Sequence, residues 1–286
     1  MSYFWWQMWC GLRIWLIIWR VFLRALLGKS RRDKLFSLYP EIDNLIKSPI
    51  PFFPFVRPIN GLIQVKLPDG ILIQPKEKSA QDTFYLNQEI YVRNIYNKLH
   101  EIQEDDVVVD IGAHIGIFTL KAARKAKKGL VIAIEPYPPN FELLTRNIKL
   151  NRLEHTVVPL NIALASYNGK ARLYIGKESG THSISSRWSK ARWLEERDFV
   201  EVTTKTLDSV IKRLQVKRVD FIKIDAEAAE LNILKGAEDV LKSGRNLRVA
   251  IAAYHFPDEV QKVSRHLLSR NFKVFTYKGF VYGEKL

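Results

Sequence analysis

Short apolar runs without helical spacing alternate along most of the chain with longer segments whose apolar positions recur every three or four residues. Runs of the first kind read as buried strands and segments of the second as amphipathic helices. The pattern predicts strands at 106–110, 130–135, 156–161, 219–224 and 247–254, with helices at 117–127, 139–151 and 228–241. Strand followed by helix, repeated, implies a parallel sheet covered on both faces. Ala171–Ile175 and Val200–Thr204 read as further strands, and Phe272–Thr276 and Phe280–Tyr282 flank Lys278-Gly279 as a terminal hairpin. Upstream, Leu62–Leu67 and Ile71–Ile73 around Pro68-Asp69-Gly70 read as another hairpin. Asp82–Leu99 carries Phe84, Tyr85, Ile90, Tyr91, Ile95, Tyr96 and Leu99 at helical period, which predicts a helix over one edge or mouth of the core.

The first residues follow a different pattern. Between Phe4 and Leu27, and on to Arg31, the arginines at 13, 20, 24 and 31 fall on one stripe of a helix, while Trp5, Trp9, Trp15, Ile18, Trp19 and Phe22 fill the remaining arc. A spanning helix needs about 20 mainly apolar residues, and each central Arg costs roughly 2.5–3.5 kcal/mol. No charge-free run here is that long. The segment neither starts with basic residues nor ends in small ones, as a signal peptide would. The expectation is an interfacial helix over 1–28, with tryptophans at the headgroup boundary and arginines toward anionic lipid. The alternative is a helix that docks on the large domain or on a second subunit. Lys29–Asn60 reads as a connector, charged early and proline-rich late (Pro40, Pro51, Pro54, Pro58), with Pro51–Phe55 extended. The organisation expected is therefore an amphipathic helix at 1–28, a linker and accessory hairpin at 29–80, and one large α/β domain at 81–286.

Composition changes this picture only in charge. A length of 286 residues, 47% hydrophobic and 26% charged, suits one large domain plus an appendage. The formal net charge of +15 points to nucleic acid, anionic lipid or acidic substrates. Arg13, Arg20, Arg24, Lys29, Arg31, Arg32 and Lys34 crowd the first residues against the single acid Asp33. Lys121, Arg124, Lys125, Lys127 and Lys128 form a second cluster that reads as a solvated helix face. The single cysteine, Cys10, excludes an internal disulfide framework and fits a reducing compartment. A cytoplasmic chain, brought to the inner face of a membrane by residues 1–28, is the resulting expectation.

The chemistry concentrates in Val107–Leu120, VVVDIGAHIGIFTL. A strand, a glycine turn and a helix make a ligand cradle, because the first helical turn leaves backbone N–H groups unpaired. The spacing is Asp110-x-Gly112-x-x-x-Gly116, not the G-x-G-x-x-G of a dinucleotide site. A carboxylate at the strand end repels phosphates but suits an ammonium or a sulfonium, and S-adenosylmethionine carries both. Glu135 ends the next strand, 23 positions past Gly112, where an acid grips a ribose diol. Gly112, Glu135, Asp225 and His255 each follow directly on a different predicted strand, so all four meet at one sheet edge.

VVVDIGAHIGIFTL, IAIEPYPPNFELLTRNIKLN and DFIKIDAEAAELNILKGA together resemble the FkbM family of S-adenosylmethionine-dependent methyltransferases. The resemblance runs from about Glu89 to near the C-terminus and leaves out the first sixty or so residues. It implies the methyltransferase version of the doubly wound fold, a mostly parallel seven-stranded Rossmann-like sheet with an antiparallel last strand. It also implies S-adenosylmethionine as cofactor and O-methylation of a sugar, glycan or small-metabolite hydroxyl. The cofactor residues expected are Asp110, Gly112, His114, Gly116, Glu135 and Ala163. The catalytic ones are Asp225 near the donor, His255 near the acceptor, and Glu227, with no metal. Two positions depart from the family pattern. Asp225-Ala226-Glu227-Ala228-Ala229-Glu230 has alanine at 228 where members read D-x-E-G-x-E, and His114 stands where asparagine is common. If that glycine serves positive φ or close approach, Ala228 perturbs the pocket. The competing reading is an RNA-binding protein or RNA methyltransferase. Its motivation is Gly176–Arg197, where Thr181, His182, Ser183, Arg187, Lys190 and Arg192 surround Trp188 and Trp193, because aromatics among basic residues stack bases.

Overall fold

Each apolar run from Val107 onward forms a strand, and alternate residues within a run serve opposite faces of one sheet. In the computed structural model the described residues are 55–285, apart from 60–61, 68, 76–85, 87, 177–179 and 192–197. The helix expected at 1–28 and most of the connector at 29–60 lie outside the described residues. No helix among the described residues is long and apolar enough to cross a membrane.

Strands β1 (Phe55–Ile59), β2 (Leu62–Lys66) and β3 (Leu72–Ile73) form a small antiparallel sheet, so the end of the proline-rich connector adds a strand to the predicted hairpin. The main domain then runs β4 (Val107–Ile111), α1 (Ile117–Lys125), β5 (Leu130–Ile134), α2 (Pro138–Leu150) and β6 (Val157–Leu160). A second small sheet and a short helix follow: β7 (Ala163–Leu164), β8 (Gly169–Tyr174), α3 (Ser186–Ala191) and β9 (Phe199–Lys205). The chain returns through α4 (Leu207–Arg213), β10 (Phe221–Ile224), α5 (Glu230–Lys235), α6 (Glu238–Ser243), β11 (Arg248–Ala252) and α7 (Glu259–Leu268). It closes with β12 (Phe272–Tyr277) and β13 (Phe280–Lys285).

The main sheet has seven strands in the order β12-β13-β11-β10-β4-β5-β6. Strand β13 runs antiparallel to both neighbours, and β4, β5, β6, β10 and β11 are parallel. This is the expected fold. Val108 and Val131 enter one core layer while Val109 and Ile132 enter the other, as strands covered on both faces require. The β1–β3 sheet shares the first layer through Val65, Leu67, Ile71 and Ile73. Two asparagines of the α2 turn pin its edge: the Asn151 and Asn147 Oδ1 atoms accept from the N–H of Leu72 and Gln74 at 2.9 and 2.7 Å.

Three expectations need correction. The helix predicted over 82–99 ends early: among the described residues Leu86 is helical, Gln88–Val92 form a π-helical turn, and by Asn94 φ has reached +48°, while 82–85 and 87 lie outside the described residues. Lys121 ends it, because its ammonium donates to the Ile90 carbonyl and to Asn94 Oδ1 at 2.6 and 2.7 Å. Lys121 therefore leaves the solvated face expected for it, while Arg124, Lys125, Lys127 and Lys128 stay exposed. The single helix predicted over 228–241 is instead α5 and α6. At Gly236 a Cβ would sit 2.1 Å from the Ala165 carbonyl oxygen, so only glycine fits, and Ala237 leaves helical backbone at φ −121° and ψ 24°. The new end is capped from outside: Asp208 accepts from the N–H groups of Asp239 and Val240, each at 3.0 Å.

At the centre of the sheet the register sets Asp110 of β4 opposite Lys223 of β10. Their charges meet at 3.1 Å with side chains 0% and 5% exposed. Thr119 donates to the other Asp110 oxygen at 2.6 Å, and Lys223 reaches the Gly112 carbonyl at 2.7 Å. Removing one partner of a buried pair strands the other charge and costs about 3–5 kcal/mol. Lys223→Met should lower the unfolding free energy in urea by that amount, and adding Asp110→Asn should restore at least half. A single-variant loss below about 1 kcal/mol, the range of exposed pairs, would show that the pair does not constrain the fold.

Candidate active site

The parallel strands end at one edge, where β4, β5 and β10 each release a turn into a common cleft. The cleft's wall includes Gly112, His114, Glu135, Asn140, Ala163, Asp225 and Glu227. The turn after β4 is built for close approach. Gly112 holds φ at +76°, and a Cβ there would lie 1.8 Å from the Asp225 carbonyl oxygen. Gly112 and Ala113 both donate backbone N–H groups to the Ile134 carbonyl at 3.0 Å. Gly116 caps α1 at φ +96°, with Leu144 of α2 2.7 Å from the position of a Cβ. His114, at φ +53°, donates its N–H to Glu135 Oε2 at 2.8 Å.

Glu135 is buried in the cleft wall. Its Oε1 accepts from the N–H of Tyr137 at 2.9 Å, so both oxygens are oriented and each keeps a lone pair for a ligand. Burial pushes its pKa up to about 7, against the N–H bonds from Tyr137 and His114 that favour the ionised form. Asp110 and Gly116 are the expected cofactor residues that the cleft wall does not include, and the cation Asp110 meets is the protein's own Lys223.

The second half of the site follows β10 and β11. Tyr96 donates to Asp225 Oδ2 at 2.6 Å, and the Ala226 N–H donates to Glu230 Oε1 at 2.9 Å. His255 packs beneath them, its side chain 2% exposed, with carboxylate oxygens of Glu227, Glu230 and Glu259 at 3.6, 3.7 and 3.3 Å. Burial opposes charge on this imidazole, but Glu227, Glu259 and Glu230 outweigh it and raise the pKa to about 11. Of the three expected catalytic residues, Asp225 and Glu227 line the cleft and His255 supports them from behind. Glu89, on the π-helical turn, belongs to the same neighbourhood: burial and the nearby Asp225 carboxylate both raise its pKa. The sequence reading passed over Tyr96, Lys223 and Glu259. Lys223 carried a signal, a lone cation inside the apolar strand FIKI.

The segment after β8 forms the opposite wall. Ser183 pairs with Tyr174 in an isolated bridge and donates its hydroxyl to the Glu227 carbonyl, which holds Gly180, His182, Ser183 and Ile184 against the cleft. Trp188 is no stacking platform. It is 4% exposed and packs edge-on against His255 and Phe256, at 5.3 and 5.9 Å. Arg187 lies over the Phe256 ring and pairs with Asp258, and Trp193 lies outside the described residues.

A doubly wound sheet of this order, with a glycine turn and acids at the strand ends of one edge, is the architecture of a Rossmann-like methyltransferase. The methyltransferase FkbM domain family matches residues 110–278, and the chain belongs to that family of S-adenosylmethionine-dependent methyltransferases. Among its relatives, "Methyltransferase 1" of Beauveria bassiana is 26% identical over 189 residues, 62% of this chain and 76% of that one. "Hexuronic acid methyltransferase AglP" of Haloferax volcanii is 32% identical over 169 residues, 58% of this chain and 64% of that one. "31-O-demethyl-FK506 methyltransferase FkbM" of Streptomyces tacrolimicus is 26% identical over 219 residues, covering 68% and 82%.

The alanine that replaces the family's glycine is strained here. Glu227 and Ala228 hold φ at +50° and +71° in succession. A left-handed conformation costs an L-residue roughly 1–2 kcal/mol, and the extra freedom of glycine when unfolded returns about 0.4–1 kcal/mol of that. Ala228→Gly should therefore stabilise the protein by about 0.5–1 kcal/mol in chemical denaturation. A destabilised variant would mean that the turn carries no strain.

Proposed function

We propose that the chain methylates a hydroxyl of a sugar, glycan or small metabolite, using S-adenosylmethionine held in the cleft between β4, β5 and β10. The observation that carries this reading is the meeting of Gly112, Glu135 and Asp225 at one edge of the sheet. Gly112 lets the turn after β4 pack directly against the Asp225 backbone, the Glu135 oxygens are oriented for a ribose diol, and Ala163 closes the wall without filling it. Gly116 and His114 fix the turn, and Asp110 holds it from behind through Lys223. Bound there, S-adenosylmethionine supplies an electrophilic methyl group.

The chain's own part is to align the acceptor oxygen and to take its proton. Asp225 faces the donor side of the cleft. Glu227 is the acid with access to the wall, its side chain 17% exposed, and the buried His255 steadies it at 3.6 Å. Alignment and a positioned base each lower the barrier, the base typically by about 10²–10⁴-fold in rate. The names of two relatives, one for a hexuronic acid and one for the 31-O position of FK506, support a sugar or hydroxyl acceptor. The burial of Trp188 removes one of the two aromatics on which the RNA reading rested.

Glu135 makes the donor site titratable. Its pKa of about 7 leaves it largely neutral at pH 6 and ionised at pH 8. If the carboxylate takes the ribose hydroxyls, calorimetric affinity for S-adenosylmethionine should rise with pH, by up to about tenfold across that window. Glu135→Gln should bind more weakly and lose the pH dependence. An unchanged affinity in that variant would remove Glu135 from the donor site, and no binding to the parent chain would remove the reading itself.

The tryptophan and arginine pattern of residues 1–28 supports attachment to an anionic membrane surface. The full chain should float with anionic vesicles, and a chain without residues 1–34 should not. If both behave alike, the segment has another role.

A further inference from the structure

We propose that Asp225, Glu230 and His255 bind a divalent metal ion at the carboxyl edge of β10 and β11. One donor atom from each lies within 4.8 Å of the other two. An ion at the centre of that triangle is no more than about 2.8 Å from each donor (4.8/√3). Metal–oxygen and metal–nitrogen bonds run to about 2.0–2.2 Å, so rotamer-scale adjustments close the site.

The donors are already oriented. Tyr96 holds Asp225 by Oδ2 and leaves Oδ1 buried with no hydrogen-bond partner. The Ala226 N–H holds Glu230 by Oε1, on a side chain 0% exposed. His255 is buried beside them, with carboxylate oxygens of Glu227, Glu230 and Glu259 3.3–3.7 Å from its ring nitrogens. An acid fixed by an outer partner through one oxygen is how proteins prepare metal ligands.

Charge points the same way. Carboxylate oxygens of Glu227, Glu230 and Glu259 lie 3.3–3.7 Å from one buried imidazole, and Asp225 offers a donor within 4.8 Å of those of Glu230 and His255. A divalent cation would be drawn to this group of carboxylates. Two carboxylates and an imidazole suit Mn²⁺ or Zn²⁺ better than Ca²⁺. Asp225 also lines the cleft, so the ion would help to orient the acceptor hydroxyl. That role rests on the methyl-transfer reading, whereas the site itself does not, and metal alone tests it.

The full chain, stripped with chelator, should be titrated with Mn²⁺ by electron paramagnetic resonance and with Zn²⁺ by calorimetry. One ion should bind per chain, and Mn²⁺ should show pulsed-resonance coupling to an imidazole nitrogen. Glu230→Gln and His255→Ala should each weaken binding by about tenfold or more, and His255→Ala should abolish the nitrogen coupling. Tyr96→Phe, which keeps every donor but frees Asp225 Oδ2, should weaken it as well. The nitrogen coupling in the parent chain keeps the test decisive should a variant fail to fold. Absence of saturable binding for both ions overturns the proposal. So does binding without nitrogen coupling that the substitutions leave unchanged.

Discussion

The buried pair between Asp110 and Lys223 is the constraint around which the site is arranged. A carboxylate with no exposed surface at the centre of a sheet is tolerable only with a matched cation and filled hydrogen bonds. Lys223 supplies the charge from the neighbouring strand, and Thr119 fills the second oxygen from α1. The lysine's remaining reach goes to the Gly112 carbonyl, so the glycine turn is tied to β10 as well as to β4. That tie brings the turn close enough to Asp225 that only glycine fits. The two halves of the cleft thus share one electrostatic anchor beneath them, and their separation is set by the sheet.

What could be read from the sequence follows from how these elements are stabilised. Strands buried on both faces are mostly apolar, so β4, β5, β10 and β11 stand out as runs, and the acids at or just past their ends stand out in turn. The strand-end residues Gly112, Glu135, Asp225 and His255 were legible for that reason. Partners that depend on register were not. Lys223 interrupts an apolar run, and only the pairing of β4 with β10 shows that it faces Asp110. Tyr96 reaches Asp225 across 129 positions, a distance that no local pattern encodes. The helix boundaries failed where tertiary contacts override periodicity: Lys121 takes the Ile90 carbonyl that would have continued one helix, and the Ala165 backbone packs against Gly236 where α5 gives way to α6.

Burial also bears on the described part of the basic segment after β8. Aromatic residues among arginines suit base stacking only if their faces are open. Trp188 instead closes over His255 and Phe256, and Arg187 is occupied by Phe256 and Asp258. Its described part faces inward: Gly180, His182, Ser183 and Ile184 wall the cleft, and Trp188 packs on His255.

Glu227 joins these parts. Its backbone stands in the left-handed region and, with Ala228 beyond it, makes a turn that ordinary residues resist. That geometry points the Glu227 carbonyl at the Ser183 hydroxyl and its carboxylate at the His255 ring. A shift of the wall that carries Ser183 would therefore pull on the acid facing the cleft, and a shift of His255 would pull on it from the other side. Strain of about 1–3 kcal/mol per residue persists only where surrounding contacts over-determine the conformation, and here two separate contacts do so. The turn's cost is thus tied to the placement of one carboxylate, which is why the strain falls at Glu227 and Ala228 and not along the strands that carry them.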